Sequence, residues 1–420
     1  GPEYRVHRST VEVSAEGRTR VAVALERYTD LPSQGWISGD THIHLPRDQV
    51  DEAAVQIQAA AEDVHVGIIL QMGNISGVHF SQPAFGELGR YEEDGYVIVS
   101  GQEDPRTGHR GHTMHFNLDR PIHQTPSSYF LYHEVFEESQ RQGGVSGYAH
   151  LAPWFNPRRG LALDVPFALV DFLEVLQYGR LNTDIWYDFL NLGFRLVPAA
   201  GSDYPYLDLP GAVRQYVKIE GPATPEAWFE AFKAGRTYVT NGPFVELSVG
   251  DRSMGEEMEV EAGTRVEVVA EARLNPDVDR LDRLELVVLG EVVATEPARG
   301  RDRITLRTQV TVSESLWLAA RAYGAQESRD GMTVAHTTPV YVVVDSIPTW
   351  NADAVTQLVA RYQGELREMM ETPIDPEEDL ETWETRELLL AHWEHQRELL
   401  RERVEEAHGR LQSILIRAGR

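Results

Sequence analysis

The sequence predicts a mostly parallel α/β barrel or sheet, followed by a small β-sandwich and a helical tail. Three observations carry this. Between about residue 35 and residue 243, short apolar strands alternate with helices, the pattern of βαβ units in which active residues gather at the C-terminal ends of strands. After Asn241-Gly242-Pro243 the pattern changes to alternating strands divided by Gly, Asp, Asn and Pro turns. Beyond Pro348 it becomes helical again. A chain of 420 residues has room for about two to three domains, each with its own core.

In chain order, residues 10–28 alternate apolar and polar side chains around Glu16-Gly17, which predicts a β-hairpin within an N-terminal segment spanning 1–34. The α/β domain covers 35–243. In it, helices are expected at 50–63, 129–142, 185–192 and 225–234, and strands at 66–70, 96–100, 145–150, 172–177 and 195–200. The sandwich domain covers 244–346, with strands at 245–249, 265–272, 283–289, 304–310, 316–323 and 340–344. The helical segment covers 347–420 and ends in a long helix from about 380 to 417. Leu389, Trp393, Leu400, Val404, Ala407, Leu411 and Ile414 fall there on spacings of three, four or seven, an apolar seam that packs on the body or on a second copy in a homo-oligomer. His392 and His395 read as part of its solvated face.

Composition narrows the function. Hydrophobic residues make up 42% and charged residues 25%, ordinary values for a soluble globular protein. No apolar run approaches the roughly 20 residues that span a bilayer. A formal net charge of -27 repels phosphate backbones and anionic lipid, so a small-molecule substrate is expected rather than nucleic acid or membrane. With no cysteine, any metal site must be built from His, Asp and Glu. The opening Gly-Pro lacks an initiator Met, and cytoplasmic and secreted locations, the latter with a trimmed signal peptide, both stay open.

Candidate ligands occur where strands should end. Ser38-Gly39-Asp40-Thr41-His42-Ile43-His44 sets two imidazoles two residues apart, on one face of an extended strand. Gly101-Gln102-Glu103-Asp104 is followed by a run holding His109, His112 and His115. Gly147-Tyr148-Ala149-His150 and Gly201-Ser202-Asp203-Tyr204-Pro205 each follow a strand. One by one these read as a turn, a satisfied core histidine and a helix cap. Four strand ends that each supply His, Glu or Asp are what a multi-ligand metal site on an α/β scaffold requires.

The ordered set Gly-Asp-Thr-His-Ile-His, Gly-Gln-Glu, Gly-His, Ala-His and Gly-Ser-Asp resembles the PHP (polymerase and histidinol phosphatase) superfamily of metallohydrolases, in particular its carbaryl-hydrolase-like CehA/McbA branch. The run Ala234-Gly235-Arg236-Thr237-Tyr238-Val239-Thr240-Asn241-Gly242-Pro243 belongs to the same resemblance, which extends from about residue 10 to 345. It implies a distorted (β/α)7 barrel with metals at the C-terminal rim. His42 and His44 match the pair on the first metal, Asp203 closes that site, and Glu103 bridges to a second metal held by His112 and His150. His112 is preferred to His109 and His115 because Gly111-His112 sits where the family has Gly-His, and on a strand His115 points the other way. The usual Thr-Asp-His is replaced by Gln71-Met72-Gly73-Asn74, and Asp-x-His by Asp203-Tyr204-Pro205. Both lost histidines serve a third metal, so a dinuclear site of zinc, manganese or iron is implied; a third ion would need a substitute ligand such as His65 or His79.

Two bridged cations lower the pKa of water from about 15.7 towards about 7 and polarise the scissile carbonyl or phosphoryl oxygen. The resemblance implies hydrolysis of an ester, amide or carbamate. Alternatives are a PHP-type phosphoesterase, for which Arg214 and Lys218 are local anion contacts, and a non-catalytic metal-binding structural protein. Asp40 is expected to orient a ligand histidine through its second ring nitrogen. His115, His109, Tyr204 and Arg214 are the candidate proton donors. Trp36, Trp154, Phe155, Tyr178 and Tyr206 are candidates to wall an apolar pocket.

Overall fold

The computed structural model describes residues 1–419 except 16, 48–50, 75–76, 152–156, 207–208, 329–330 and 373–382. It is a mixed α/β molecule. The first part runs β1 (Trp36–Ile43), α1 (Glu52–Ala61), β2 (Val66–Asn74), β3 (Gly77–His79), β4 (Tyr91–Glu93), β5 (Tyr96–Thr107), β6 (Gly111–Phe116), α2 (Tyr132–Arg141), β7 (Val145–Tyr148), α3 (Arg158–Asp164), β8 (Phe172–Gln177), β9 (Arg180–Leu181), α4 (Asp184–Asn191), β10 (Val197–Ala200), β11 (Arg214–Lys218), α5 (Pro225–Lys233) and β12 (Thr237–Thr240). Strands β1, β2 and β5 pair in parallel, as do β7, β8 and β10. Between these triplets β6 runs antiparallel to both β5 and β7.

The sheet curls on itself. The segment after β10 meets the end of β1, through His44 N to Tyr204 O at 2.7 Å and Asp203 N to His42 O at 2.8 Å. All eight residues of β1 are buried, because β2 and β11 flank it and α5 covers it. Trp228 of α5 lies so close to Gly39 that a β-carbon there would meet its ring at 2.3 Å, so only glycine admits the helix. Caps fix the helix starts: Asp51 accepts from Ala53 N for α1, and Thr224 accepts from Ala227 N ahead of Pro225 for α5.

The second part adds β13 (Phe244–Val249), β14 (Arg252–Ser253), β15 (Glu257–Val260), β16 (Thr264–Arg273), β17 (Leu281–Val288), β18 (Glu291–Pro297), β19 (Arg303–Val312), β20 (Leu316–Ser328), β21 (Gly331–Thr337) and β22 (Val340–Val344). One sheet has the order β14-β13-β16-β19; β15, β17, β18, β20, β21 and β22 form the facing layer, over a shared core that includes Leu247, Val268, Leu284 and Leu318. The sequence-based reading misses β14, β15, β18 and β21. It also places a break at 243 where the sheet is continuous, since β12 pairs with β11 on one side and β21 on the other.

The tail forms α6 (Val355–Glu371) and α7 (Trp383–Arg417). All seven seam residues of α7 are buried in the core they share with α6 and the α/β part, so this chain itself covers the face considered for a second copy. His395 is exposed and His392 partly so. One element fails to form. Residues 10–28 make no ladder among the described residues, Glu16 lying outside them; a single bridge joins Tyr4 and Arg27, and Val11, Val13, Val21, Val23 and Leu25 stay exposed. Alternation sets one face of a hairpin, but without a surface to cover that face little stabilises it.

Candidate metal centre

The six ligands expected from sequence converge. His42 Nε2 lies 3.1 Å from His44 Nε2, 3.5 Å from Glu103 Oε2 and 3.4 Å from Asp203 Oδ1. From His44 Nε2, Glu103 Oε2 is 3.1 Å and Asp203 Oδ1 3.4 Å away. Four ligands held 2.0–2.1 Å from one tetrahedral ion sit about 3.3 Å from each other, so these edges have the size of a metal site. The other oxygen of Glu103 faces a second group: Oε1 is 2.9 Å from His112 Nδ1 and 3.3 Å from His150 Nε2. All of these side chains are buried. The buried clusters can therefore hold metal ions, and Glu103 belongs to both.

Most of the ligands come from the C-terminal parts of strands or the turns after them, and His112 from the start of one. His42 and His44 share one face of the end of β1, and Glu103 comes from β5. His112 opens β6 across a register shift from Glu103. His150 and Asp203 follow β7 and β10 with φ of 57° and 55°, left-handed values that non-glycine residues avoid and that collect at functional sites. Tyr178 and Phe80, beside the centre, share this conformation.

The far ring nitrogens are also occupied. His42 Nδ1 donates to Glu174 Oε1 at 2.9 Å, His44 Nδ1 to Leu70 O at 3.2 Å, and His150 Nδ1 to Gln177 Oε1 at 2.8 Å. Donation at Nδ1 aims Nε2 of each ring at the cluster, the orientation a ligand needs. Glu174 Oε2 further accepts from the His150 backbone at 3.0 Å, so one carboxylate orients ligands of both groups. Tyr178 and Gln177 donate to Asp203 Oδ2, which leaves Oδ1 for the first group. Gly201 makes room, since a β-carbon there would lie 2.2 Å from that of His42 and 2.7 Å from Glu174 Oε1.

Charge sets the protonation pattern. Burial alone would lower the pKa of His42, but the Glu174 and Asp203 carboxylates carry it well above its ordinary value. Burial would raise Glu103; the Arg106 guanidinium and hydrogen bonds from His112, His150 and His42 hold it well below the usual range. Asp203 likewise overcomes burial through His42 and His44 and falls to about 2. His112, where burial wins, falls to about 4.

The proposed proton donors lie elsewhere. His115 points behind β6, with Nδ1 2.8 Å from Ser146 Oγ and Nε2 3.1 Å from Thr113 Oγ1. Tyr204 contributes its carbonyl to β1, and its ring packs on the cluster around Ile43. Arg214 bonds the carbonyls of Gly211 and Glu62 and approaches Glu3 at 3.8 Å. His109 stands edge-on to Trp393 of α7. Asp40 supports the site, but not through a ring nitrogen. It accepts from the backbones of His42, Ser202 and Gly211 at 3.0, 3.0 and 2.7 Å, tying β1 to the turn after β10.

The substitutes considered for a third ion also lie apart, His65 stacked on Tyr96 and bonded to Ser38, and His79 exposed on β3. Trp36 packs on Tyr238, and Trp154 and Phe155 fall outside the described residues. Tyr206 does wall the centre, together with Phe80, which the sequence-based reading overlooks; their rings are 5.8 and 5.2 Å from that of His44. Also overlooked are Glu174, Gln177 and Arg106, whose Nε is 3.4 Å from Glu103 Oε1. A carboxylate inside the apolar run Phe172-Leu173-Glu174-Val175-Leu176 was the available signal for Glu174, because burying a charge there needs a partner.

No family model matches the chain, and no curated protein does. Among solved structures it is similar to PsfC from Pseudomonas syringae PB-5123, at 19% identity over 47% of this chain and 90% of that one, with a TM-score of 0.33. It is also similar to fibronectin(III)-like modules of Clostridium thermocellum CbhA, at 16% identity over 24% and 96% of the two chains and a TM-score of 0.17. A DUF3823 family protein from Bacteroides ovatus is 9% identical over 33% and 79%, with a TM-score of 0.16. Likenesses of this size assign no activity.

Proposed function

We propose that this chain is a metal-dependent hydrolase of the PHP superfamily, CehA/McbA branch, with a distorted (β/α)7 barrel, acting on an ester, amide or carbamate bond of a small molecule. The observation that carries the reading is Glu103, a buried carboxylate whose two oxygens face two separate histidine groups. His42, His44 and Asp203 complete the first group and His112 and His150 the second. Bound there, two divalent transition-metal ions, zinc, manganese or iron, supply Lewis acidity that acidifies water and polarises a carbonyl or phosphoryl oxygen. Glu174, Leu70 O and Gln177 orient the rings of His42, His44 and His150 through Nδ1, and the proton that the carboxylates favour on His42 would leave when an ion binds. Tyr178 keeps its proton, because burial and the Asp203 carboxylate raise its pKa, and fixes the Asp203 oxygen it bonds. Phe80 and Tyr206 offer an apolar wall beside His44 for the non-reacting part of the substrate.

A second reading, a PHP-type phosphoesterase, is favoured by Arg106. Its guanidinium beside Glu103 is the cationic group that composition did not reveal, in a position suited to an anionic substrate oxygen. A panel of aryl carbamates, aryl esters, anilides and phosphomonoesters separates the two readings. Turnover of the first three classes is expected; turnover of phosphomonoesters alone would replace the first reading with the second. Chelator-free protein is expected to carry two equivalents of a transition metal. Near-zero content after reconstitution would overturn both and leave a structural role.

A further inference from the structure

The helix α7 lies outside the family resemblance, yet it grips the hairpin that supplies the second ligand group. The hairpin is β5 and β6, with Glu103 on one strand, His112 on the other and its tip at residues 107–111. Trp393 and Gln396, three apart and therefore on one face of α7, reach this tip, Trp393 directly and Gln396 through the loop ahead of α2. The Trp393 ring meets that of His109 edge-on at 5.6 Å and that of Phe130 at 5.0 Å. Gln396 is fully buried and uses both ends of its amide on the loop ahead of α2: Oε1 accepts from Phe130 N at 2.6 Å and Nε2 donates to Pro126 O at 2.8 Å. Phe130 O in turn accepts from Arg110 Nη1 at 2.6 Å, and Arg110 is in the hairpin tip. Two routes, one by ring contact and one by hydrogen bonds, thus run from α7 to residues within three positions of His112.

We propose that Trp393 and Gln396 are positioning residues for the second metal, and that α7 sets how tightly Glu103 and His112 hold it; this rests on the two-metal reading above. The physical basis is tolerance. The first group is braced from within the sheet, by β1, the turn after β10 and Glu174. His112 instead stands next to the tip of a hairpin whose pairing slips between Glu103 and Arg106. Ligand geometry has to be held within about 0.5 Å; the sheet braces His112 through Ala149 N to His112 O at 3.0 Å, and α7 adds its contact further out, at the tip.

The test uses the full chain, stripped of metal and titrated with cobalt(II), followed by calorimetry and by the visible absorption of the bound ion. The unaltered chain is expected to show two binding events. Trp393→Ala and Gln396→Leu should weaken the second event by about tenfold or more, the usual cost of losing a group that supports a ligand, and leave the first within about twofold. Trp393→Phe, which keeps an aromatic edge against His109, should restore most of the affinity. Leu411→Ala removes packing from the same core 18 residues further along α7, about 27 Å from Trp393. It should lower the melting temperature and leave both events intact. If Trp393→Ala does not fold, Gln396→Leu carries the test. Two events of unaltered affinity in the Trp393 and Gln396 variants would overturn the clamp, as would equal weakening of both events in Leu411→Ala. Fewer than two events in the unaltered chain would overturn the two-metal reading itself.

Discussion

The histidines of the candidate metal centre and those buried elsewhere are all sealed from water, but they face different neighbours. His42, His44, His112 and His150 all face carboxylate oxygens. His115, His336 and His109 face hydroxyls, a backbone carbonyl or an aromatic edge. For His42 and His150 the effect on charge is opposite to that in the other set, while His112 stays neutral, its pKa lowered by burial to about 4. Burial pushes His115 and His336 down to about 3 and His109 to about 4, all neutral, whereas carboxylates lift His42 and His150 in spite of burial. Packing thus needs only neutral rings with partners. A centre that gathers three buried carboxylates, Glu103, Glu174 and Asp203, around four rings carries a desolvation cost that packing does not require and that a bound cation would offset.

The widest test of this contrast removes a ligand. His42→Ala or Asp203→Ala is expected to take turnover to background and abolish binding at the first group, with melting still cooperative. A variant that loses its cooperative melting as well as its activity would have lost the fold rather than the ligand alone. Removing the ions comes next. If the centre holds them tightly and the unfolded chain does not, stripping metal should lower the unfolding free energy by about 4 kcal/mol at a free metal concentration a thousand times Kd. A chain whose urea midpoint ignores chelator would place the centre with the other buried histidines. Glu174→Gln is milder. The amide oxygen can still accept from His42 Nδ1, but the charge is gone, so metal affinity should fall by about 10–100-fold. Unchanged affinity would make Glu174 a packing residue.

The candidate ligands were legible because each sits in a short motif close behind an apolar stretch, His150 and Asp203 just past a strand and His42, His44 and Glu103 in or beside the later part of one. The proton-donor candidates were not, because nearness in sequence does not fix where a side chain points. His115, an odd number of residues from His112 on a strand, faces the opposite side; Tyr204 and Arg214 turn towards apolar and N-terminal neighbours. Glu174 was hidden inside a strand that reads as plain core. The strands β15 and β18 were hidden for the reverse reason: Glu257, Glu259, Glu291 and Glu296 make these segments look like loops, although they pair in the larger sheet. The N-terminal hairpin shows the limit of alternation. Val13 and Leu25 keep the pattern, but among the described residues nothing covers their face.

The smallest effect concerns the neutral set and is read on metal-free protein. The folded pKa values of His115, His336 and His109, about 3, 3 and 4, lie below the ordinary 6.5. Above 6.5 neither state binds these protons and stability is unaffected. As the pH falls below 6.5 the unfolded chain takes them up and the folded chain does not, so stability declines until the folded values near 3–4 are reached. Each such histidine contributes at most about 1.4 kcal/mol per pH unit in that window. His336→Gln, in the sandwich and away from the centre, should therefore flatten the slope of urea-unfolding free energy between pH 6 and 4 by up to about that amount, without altering metal affinity. An unchanged slope would mean that His336 takes up its proton in the folded state, and the neutral set would then no longer differ from the centre in the way its neighbours require.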